Sequence, residues 1–254
     1  MANNYRDDQD LAGPLQYASN DMLEVLVQYL TKNPKGQKRF TEQLTIHPEF
    51  VAANGDLTKA WRAIAAEIQY YGGDSVANMV RRKGTLYRDI LKYVCKKQKV
   101  KADFKNDPVV DIEKKLISKL FEDMWEKLDS KQRELIAQEL ELDTTKTGPE
   151  TIREILKQLD SSNHNNTVYS VSMILASSYA SSLLGSLGAL SSRTFLMFGS
   201  ARVAPVFAGP IGIALAAYFT LASVTGPAYR ITLPCVVQIA AMRQQMLKPE
   251  TDLF

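Results

Sequence analysis

Nine basic side chains crowd the stretch from position 81 to 101: Arg81, Arg82, Lys83, Arg88, Lys92, Lys96, Lys97, Lys99 and Lys101. Only Asp89 opposes them there. Cations at this density bind phosphate oxygens, whether on anionic lipid headgroups or on nucleic acid. Lys92, Lys96 and Lys99 recur at helical spacing and share one face. The bland alternative is a solvated face paired with acids elsewhere in the chain. Lipid ranks above nucleic acid, because no aromatic stacking surface accompanies the charge and an uncharged segment follows later. The expected anion contacts are Arg81, Arg82, Lys83, Arg88, Lys92, Lys96 and Lys99.

No constellation of catalytic residues stands beside this cluster. The two histidines, His47 before Pro48 and His164 in an Asn-rich stretch, have no Cys or carboxylate at metal-ligand spacing. No Walker-type loop, nucleophile elbow or zinc-protease helix signature occurs. Glu122, Asp123 and Glu126 read as a solvated helix face. Gly72-Gly73-Asp74-Ser75 offers free backbone N–H groups at a helix start, a geometry that binds phosphate. The Asp74 carboxylate would occupy the same donors and repel an anion, so Gly73 and Asp74 are read as a helix cap, with the glycines supplying a left-handed stop. The sequence therefore predicts a protein that is not an enzyme, with no cofactor, metal or small-molecule substrate.

The second unusual feature is a lack of charge. Ser161–Ser192 and Val203–Tyr229 contain no Asp, Glu, Lys or Arg, and only Arg193 and Arg202 lie between them. Either run exceeds the ~20 predominantly apolar residues that cross a hydrocarbon layer, although Ser, Ala and Gly dominate and Leu and Ile do not. Small residues recur every fourth position: Ser177, Ser181, Gly185 and Ala189, then Ala208, Gly212, Ala216 and Thr220. Such stripes let helix backbones approach closely, the usual packing device in lipid. They predict a close-packed helical pair turning at Arg193–Arg202, either in contact with a membrane or buried in a soluble fold. The same stripes suit association between chains, so a homo-oligomer is a further expectation.

Around these features the elements must be helical. The 254 residues carry 31 Lys/Arg and 28 Asp/Glu. Five of the basic and two of the acidic residues fall in 161–254, which leaves 26 of each sign in the first 160. A zwitterionic body precedes a nearly charge-free segment. Apolar residues at three-and-four spacing predict helices from Asn20 to Leu30, Leu57 to Tyr70, Leu86 to Val94, Val109 to Leu128, Ser130 to Leu140 and Glu150 to Leu159. A shorter one is expected over Gln37–Ile46 and another through Met79 and Val80. A last helix runs from Leu233 to Met246, with Pro234 in its first turn. Asn33-Pro34, Asn54-Gly55-Asp56 and Gly148-Pro149 separate elements, and no strand of comparable quality appears. The expected class is all-α, divided as 1–37, a short N-terminal helical domain; 38–160, a charged body; and 161–254, an apolar segment. Two cysteines, Cys95 and Cys235, make no disulfide framework and fit a reducing compartment. Met1–Asp10 is polar with no apolar run, which predicts no secretory signal.

Two stretches carry a resemblance. Tyr71-Gly72-Gly73-Asp74-Ser75-Val76-Ala77-Asn78, followed by Gly84 and Leu86-Tyr87-Arg88, is one. Gly226-Pro227-Ala228-Tyr229-Arg230-Ile231-Thr232-Leu233-Pro234, followed by Val237-Gln238-Ile239-Ala240, is the other. With the opening Tyr5-Arg6-Asp7-Asp8-Gln9-Asp10-Leu11, the chain resembles the YaaW family of uncharacterised bacterial proteins over nearly its whole length. That family has a short N-terminal domain of unknown function and a middle region similar to the ubiquinol–cytochrome c chaperone domain. The resemblance implies an all-α fold, a bacterial cytoplasmic setting and a chaperone-like region within 38–160, and it supplies no catalytic residues. Taken together, the expectation is a membrane-associated helical protein at the cytoplasmic face of the inner membrane, chaperone-like or membrane-perturbing in stress or defence. A soluble interaction module with a protein client is the first alternative, and RNA binding through 81–101 the second.

Overall fold

The computed structural model describes residues 4–33, 36–72, 84–140, 142, 149–161, 165–184 and 229–247. Among these the fold is all-α, with an isolated bridge between Lys32 and Lys38 and no strand. In order the helices are α1 (Gln9–Tyr17), α2 (Asn20–Thr31), α3 (Pro48–Ala52), α4 (Trp61–Tyr71), α5 (Tyr87–Lys97), α6 (Val109–Trp125), α7 (Ser130–Glu139), α8 (Pro149–Asp160), α9 (Asn165–Leu184) and α10 (Tyr229–Met246). α2 and α7 begin on side-chain caps. Ser19 caps α2, and Asp129 closes a reciprocal capping box with Gln132 at the start of α7.

α10 is the axis of the fold. It packs against α9, α1, α2, α5, α6 and α4, and all of it but Arg230, Gln245 and Met246 is buried. A helix apolar all round belongs in the middle of a bundle. Its few polar side chains turn inward to partners: the Gln238 side chain donates to the Met22 carbonyl at 3.5 Å, and Arg243 reaches Glu113 at 2.7 Å. The core continues through Val168, Val171, Ile174 and Leu175 of α9. Among the described residues the composition change at 160/161 is therefore not a change of core.

Several local expectations are corrected. Gln37–Ile46 is not a helix. Only Leu44–Ile46 forms a 3-10 turn, because the Glu42 carboxylate binds the Thr45 backbone N–H and Arg39 turns back to the Tyr29 and Thr31 carbonyls. α1 is a helix that the sequence reading did not include, with Gly13 and Pro14 inside it. Pro14 has no N–H to give the Asp10 carbonyl, and that freed carbonyl accepts from the Arg243 guanidinium. α10 starts at Tyr229, four residues before Leu233, so Pro234 lies inside the helix. Gly72 is right-handed, at φ −72°. Glycine is needed there because a Cβ would sit 2.3 Å from the Ile90 side chain. Gly73, Asp74 and the helix expected through Val80 lie outside the described residues.

Candidate functional site

α5 and α10 run antiparallel, with Gln98 beside Tyr229 at one end of the pair and Tyr87 beside Arg243 at the other. The geometry of α5 follows from its sequence. Tyr87, Ile90, Leu91, Val94 and Cys95 are buried, which leaves Lys92, Lys96 and Lys97 on the outer side. At its carboxyl end the chain closes a Schellman motif: the Val100 N–H donates to the Cys95 carbonyl at 2.8 Å and the Lys99 N–H to the Lys96 carbonyl at 3.2 Å. This closure needs a left-handed residue, normally Gly. Here it is Lys99, at φ 58°. A long cation thus stands at a position that glycine would hold with less strain.

The Lys-rich end of α5 meets the first residue of α10. The Gln98 side chain donates to the Tyr229 hydroxyl, and the Tyr93 and Tyr229 rings form an edge contact at 6.3 Å. Burial pushes the Tyr229 hydroxyl above the ordinary tyrosine range. Lys92 lies 5.9 Å from the Phe104 ring and Lys97 5.7 Å from that of Tyr93. Among the described residues no acid pairs with Lys92, Lys96, Lys97, Lys99 or Lys101. Nearby lysines on α6 differ: Lys115 is 2.7 Å from Asp107 and Lys119 is 2.7 Å from Asp123.

The opposite end of the same helix pair is charged and buried. Glu113 of α6 accepts from the Tyr87 hydroxyl at 2.6 Å and from Arg243 Nε at 2.7 Å, while the Arg243 guanidinium stacks 5.7 Å from the Tyr87 ring. Burial pushes the Glu113 carboxyl up, against the opposing pull of Arg243 and Tyr87. For Arg243, burial is the largest influence and lowers its pKa, but the neighbouring Glu113 carboxylate outweighs it and keeps the guanidinium charged. The amino-terminal strap is tied in beside them. Asp8 Oδ2 accepts from the Tyr87 backbone N–H at 2.6 Å and so caps α5 from 79 positions away. The Gln69 side chain both donates to the Arg6 carbonyl, at 2.8 Å, and accepts from the Arg6 N–H, at 2.9 Å. Gly84 touches this bridge so closely that a Cβ would fall 2.8 Å from Gln69 Cβ.

The predicted anion contacts therefore separate. Lys96, Lys97 and Lys99 lie at the carboxyl end of α5 and Lys92 a turn earlier beside Phe104, whereas Lys99 and Lys101 line a cleft with Asp107, Asp111, Glu122 and Asp160. Arg88 is not among them: its guanidinium donates to the Asp107 and Phe104 carbonyls, 2.9 and 3.3 Å away, and lies 3.7 Å from Asp10. Arg81, Arg82 and Lys83 lie outside the described residues. So do Gly185, Ala189, Ala208, Gly212, Ala216 and Thr220 of the stripes, while Ser177 is buried on α9 and Ser181 lies one turn further along that helix. His47 accepts from the Glu49 N–H and caps α3. Among the described residues no cluster of His, Cys, Asp and Glu fits a metal ion, and no helix is long and apolar enough to cross a membrane. Sequence reasoning missed the Tyr87–Glu113–Arg243 centre. Its one signal was Arg243, a charge within the largely apolar stretch Leu233–Met246.

Comparison with known proteins adds relatives. A family described as a domain of unknown function, DUF3944, matches residues 5–40, the strap, α1, α2 and the turn beyond. A UPF0174 protein of Helicobacter pylori strain J99 is 29% identical over 249 residues, covering 98% of this chain and 96% of its own. The UPF0174 protein YaaW of Escherichia coli K12 is 33% identical over 246 residues, covering 96% and 97%. No solved structure matches. At this identity over nearly the full length of both chains, the protein belongs to the UPF0174 family, that of YaaW.

Proposed function

We propose that the protein is a non-enzymatic, membrane-associated helical body that works by binding, as a chaperone-like scaffold does, at the cytoplasmic face of the bacterial inner membrane. One observation carries this reading. Tyr229, on which the uncharged run Val203–Tyr229 ends, is held by Tyr93 and Gln98 at the Lys-rich end of α5. Lys96 and Lys97, without ion-pair partners among the described residues, thus flank Gln98 at the point where the chain returns to the body after 228, with Lys92, Lys99 and Lys101 further round the same basic stretch. Each contributes ~1 kcal/mol beside an anionic membrane, and the charge-poor segment supplies the apolar contact that salt does not screen. The partner is phospholipid, and a protein client would be presented there.

A second reading keeps the segment against the body as part of a soluble interaction module. Ser172, Ser177 and Ser178 of α9 favour it, because they face the protein core. Truncation at Asp160 would not separate the two readings, since it removes α9 and the central α10. Flotation of the full chain with phosphatidylglycerol-containing vesicles does separate them, compared with a Lys92→Ala, Lys96→Ala, Lys99→Ala, Lys101→Ala variant at low and high salt. Flotation of the parent chain that the four substitutions weaken supports the membrane. A folded parent chain that never floats assigns the segment to a soluble core.

A further inference from the structure

The connection between α5 and α6, the outer side of α6 and the end of α8 form a cleft of about 840 Å³, a volume in the range of small-molecule sites. Lys99 and Lys101 come from the connection, Asp111 and Lys114 from α6 and Asp160 from α8, and Leu156 and Leu159 add apolar lining. The connection is braced from within. The Arg88 guanidinium donates to the Phe104 and Asp107 carbonyls, the Asp103 carboxylate accepts from the N–H groups of Lys105 and Asn106, and the Val100 N–H closes onto the Cys95 carbonyl. A ligand there meets a rim that has little backbone freedom left to lose.

The charges of the cleft divide into paired and unpaired. Five lysines and four acids line it, of which Lys115 pairs with Asp107 at 2.7 Å and Lys119 with Glu122 at 3.7 Å. Lys99, Lys101 and Lys114 remain, together with Asp111 and Asp160, and none of these five has an ion-pair partner among the described residues. The unpaired set therefore carries both signs, with one cation in excess. A bare anion would face two carboxylates, and a bare cation would face three ammonium groups. A phosphate monoester that also bears an ammonium group meets both. Its phosphate carries about −1.5 to −2 charges near neutral pH, and the ammonium returns one, so its net charge is close to the opposite of the set's. Lys99 adds a further sign. It lines the cleft from a left-handed backbone, at φ 58°, and such strained conformations concentrate at ligand clamps.

The geometry points to a binding site for a small phosphate ester carrying an ammonium group, with Lys99, Lys101 and Lys114 serving the phosphate and Asp111 and Asp160 the ammonium. Phosphoethanolamine has this chemistry, whether free or as a lipid headgroup. The inference does not rest on the membrane reading, because Lys96 does not line the cleft and Lys114 lies outside the basic stretch 81–101.

The test is a calorimetric titration of the full chain, without lipid, by phosphoethanolamine, inorganic phosphate and ethanolamine. Phosphoethanolamine should bind about tenfold more tightly than either of the others. Lys114→Ala should weaken it about tenfold, Asp160→Asn should remove its advantage over inorganic phosphate, and Lys96→Ala should do neither. None of these three side chains is buried, so thermal midpoints should stay unchanged. The site is overturned if phosphoethanolamine does not bind, if inorganic phosphate binds as well, or if Lys96→Ala weakens binding as much as Lys114→Ala. Each of those results leaves the membrane reading untouched. With the site established, phosphatidylglycerol vesicles with and without phosphatidylethanolamine identify the source of the ligand. Stronger flotation with phosphatidylethanolamine assigns the lipid headgroup, and equal flotation, or none, assigns the free ester.

Discussion

The two ends of the α5–α10 pair use charge in opposite ways. At one end Glu113, Arg243 and Tyr87 are buried and each donor has its acceptor. At the other, Lys92, Lys96, Lys97, Lys99 and Lys101 have no acid partner among the described residues, and one of them sits in a left-handed conformation. Paired buried charge fixes which helices meet, since any mismatch leaves an ion stranded in low dielectric. Surface charge without an ion-pair partner contributes little to the fold and repels itself, so its removal should cost little stability. Basic density alone does not mark a site. Arg88 belongs to the same run and is consumed internally, by Asp10 and by the carbonyls of Phe104 and Asp107.

The comparison breaks most visibly at the buried end. Arg243→Ala or Glu113→Ala strands the other charge and should cost about 3–5 kcal/mol, read as a fall in the denaturation midpoint. Arg243→Met with Glu113→Leu removes both charges and should recover most of that loss. A single substitution costing as little as a surface pair would mean the centre is wet.

At the exposed end the effect should appear in binding and not in stability. Removing Lys92, Lys96, Lys99 and Lys101 should weaken anionic-vesicle binding by ~1 kcal/mol per lysine, with each substitution within ~0.5 kcal/mol on stability. Lys99→Gly sharpens this further, because its two effects have opposite sign. Relief of the left-handed strain should stabilise the fold by about 1 kcal/mol, while vesicle binding falls. A Lys99→Gly variant that lost stability would show that the lysine holds the turn for a structural reason.

The smallest effect is a pH dependence. The Asn106 side chain and the Lys105 and Asn106 N–H groups hold the Asp103 carboxyl below its ordinary 3.8, and Lys115 does the same for Asp107. Their contribution is present above 3.8 and is lost as pH falls through the lowered values. Glu113 is raised by burial, so its contribution is full below 4.5 and is lost as pH rises through the raised value. Acidification through this range should therefore release the amides of Lys105 and Asn106 in hydrogen exchange before that of Ile90 in α5. Loss in the reverse order would contradict the assignment.

How much the sequence disclosed follows the same division between local and distant causes. α2, α4, α5, α6, α7 and α8 were legible because their apolar stripes and caps lie within a few residues of one another. α1 was not, since it contains Gly13 and Pro14 and the carbonyl that Pro14 frees finds its donor in Arg243, 233 positions from Asp10. The cap on α5 was hidden for a similar reason, being supplied by Asp8 and not by Leu86 before it. Gln37–Ile46 carried a helical pattern that side-chain bonds from Glu42 and Arg39 override. At the candidate site, Lys92, Lys96 and Lys99 were readable from spacing alone. Their neighbourhood with Tyr229 was not, because it depends on how two helices more than a hundred residues apart cross.

The central claim, that cations without acid partners mark the membrane-facing end and the paired ones the structural end, is tested most directly by one paired measurement. Vesicle affinity and unfolding free energy would be determined for the four-lysine variant and for Arg243→Ala, both in the full chain. The account predicts that the lysine variant loses affinity and keeps stability, whereas Arg243→Ala loses stability and, wherever it remains folded, keeps its affinity. Equal losses of stability in the two variants, or an unchanged vesicle affinity in the lysine variant, would contradict it.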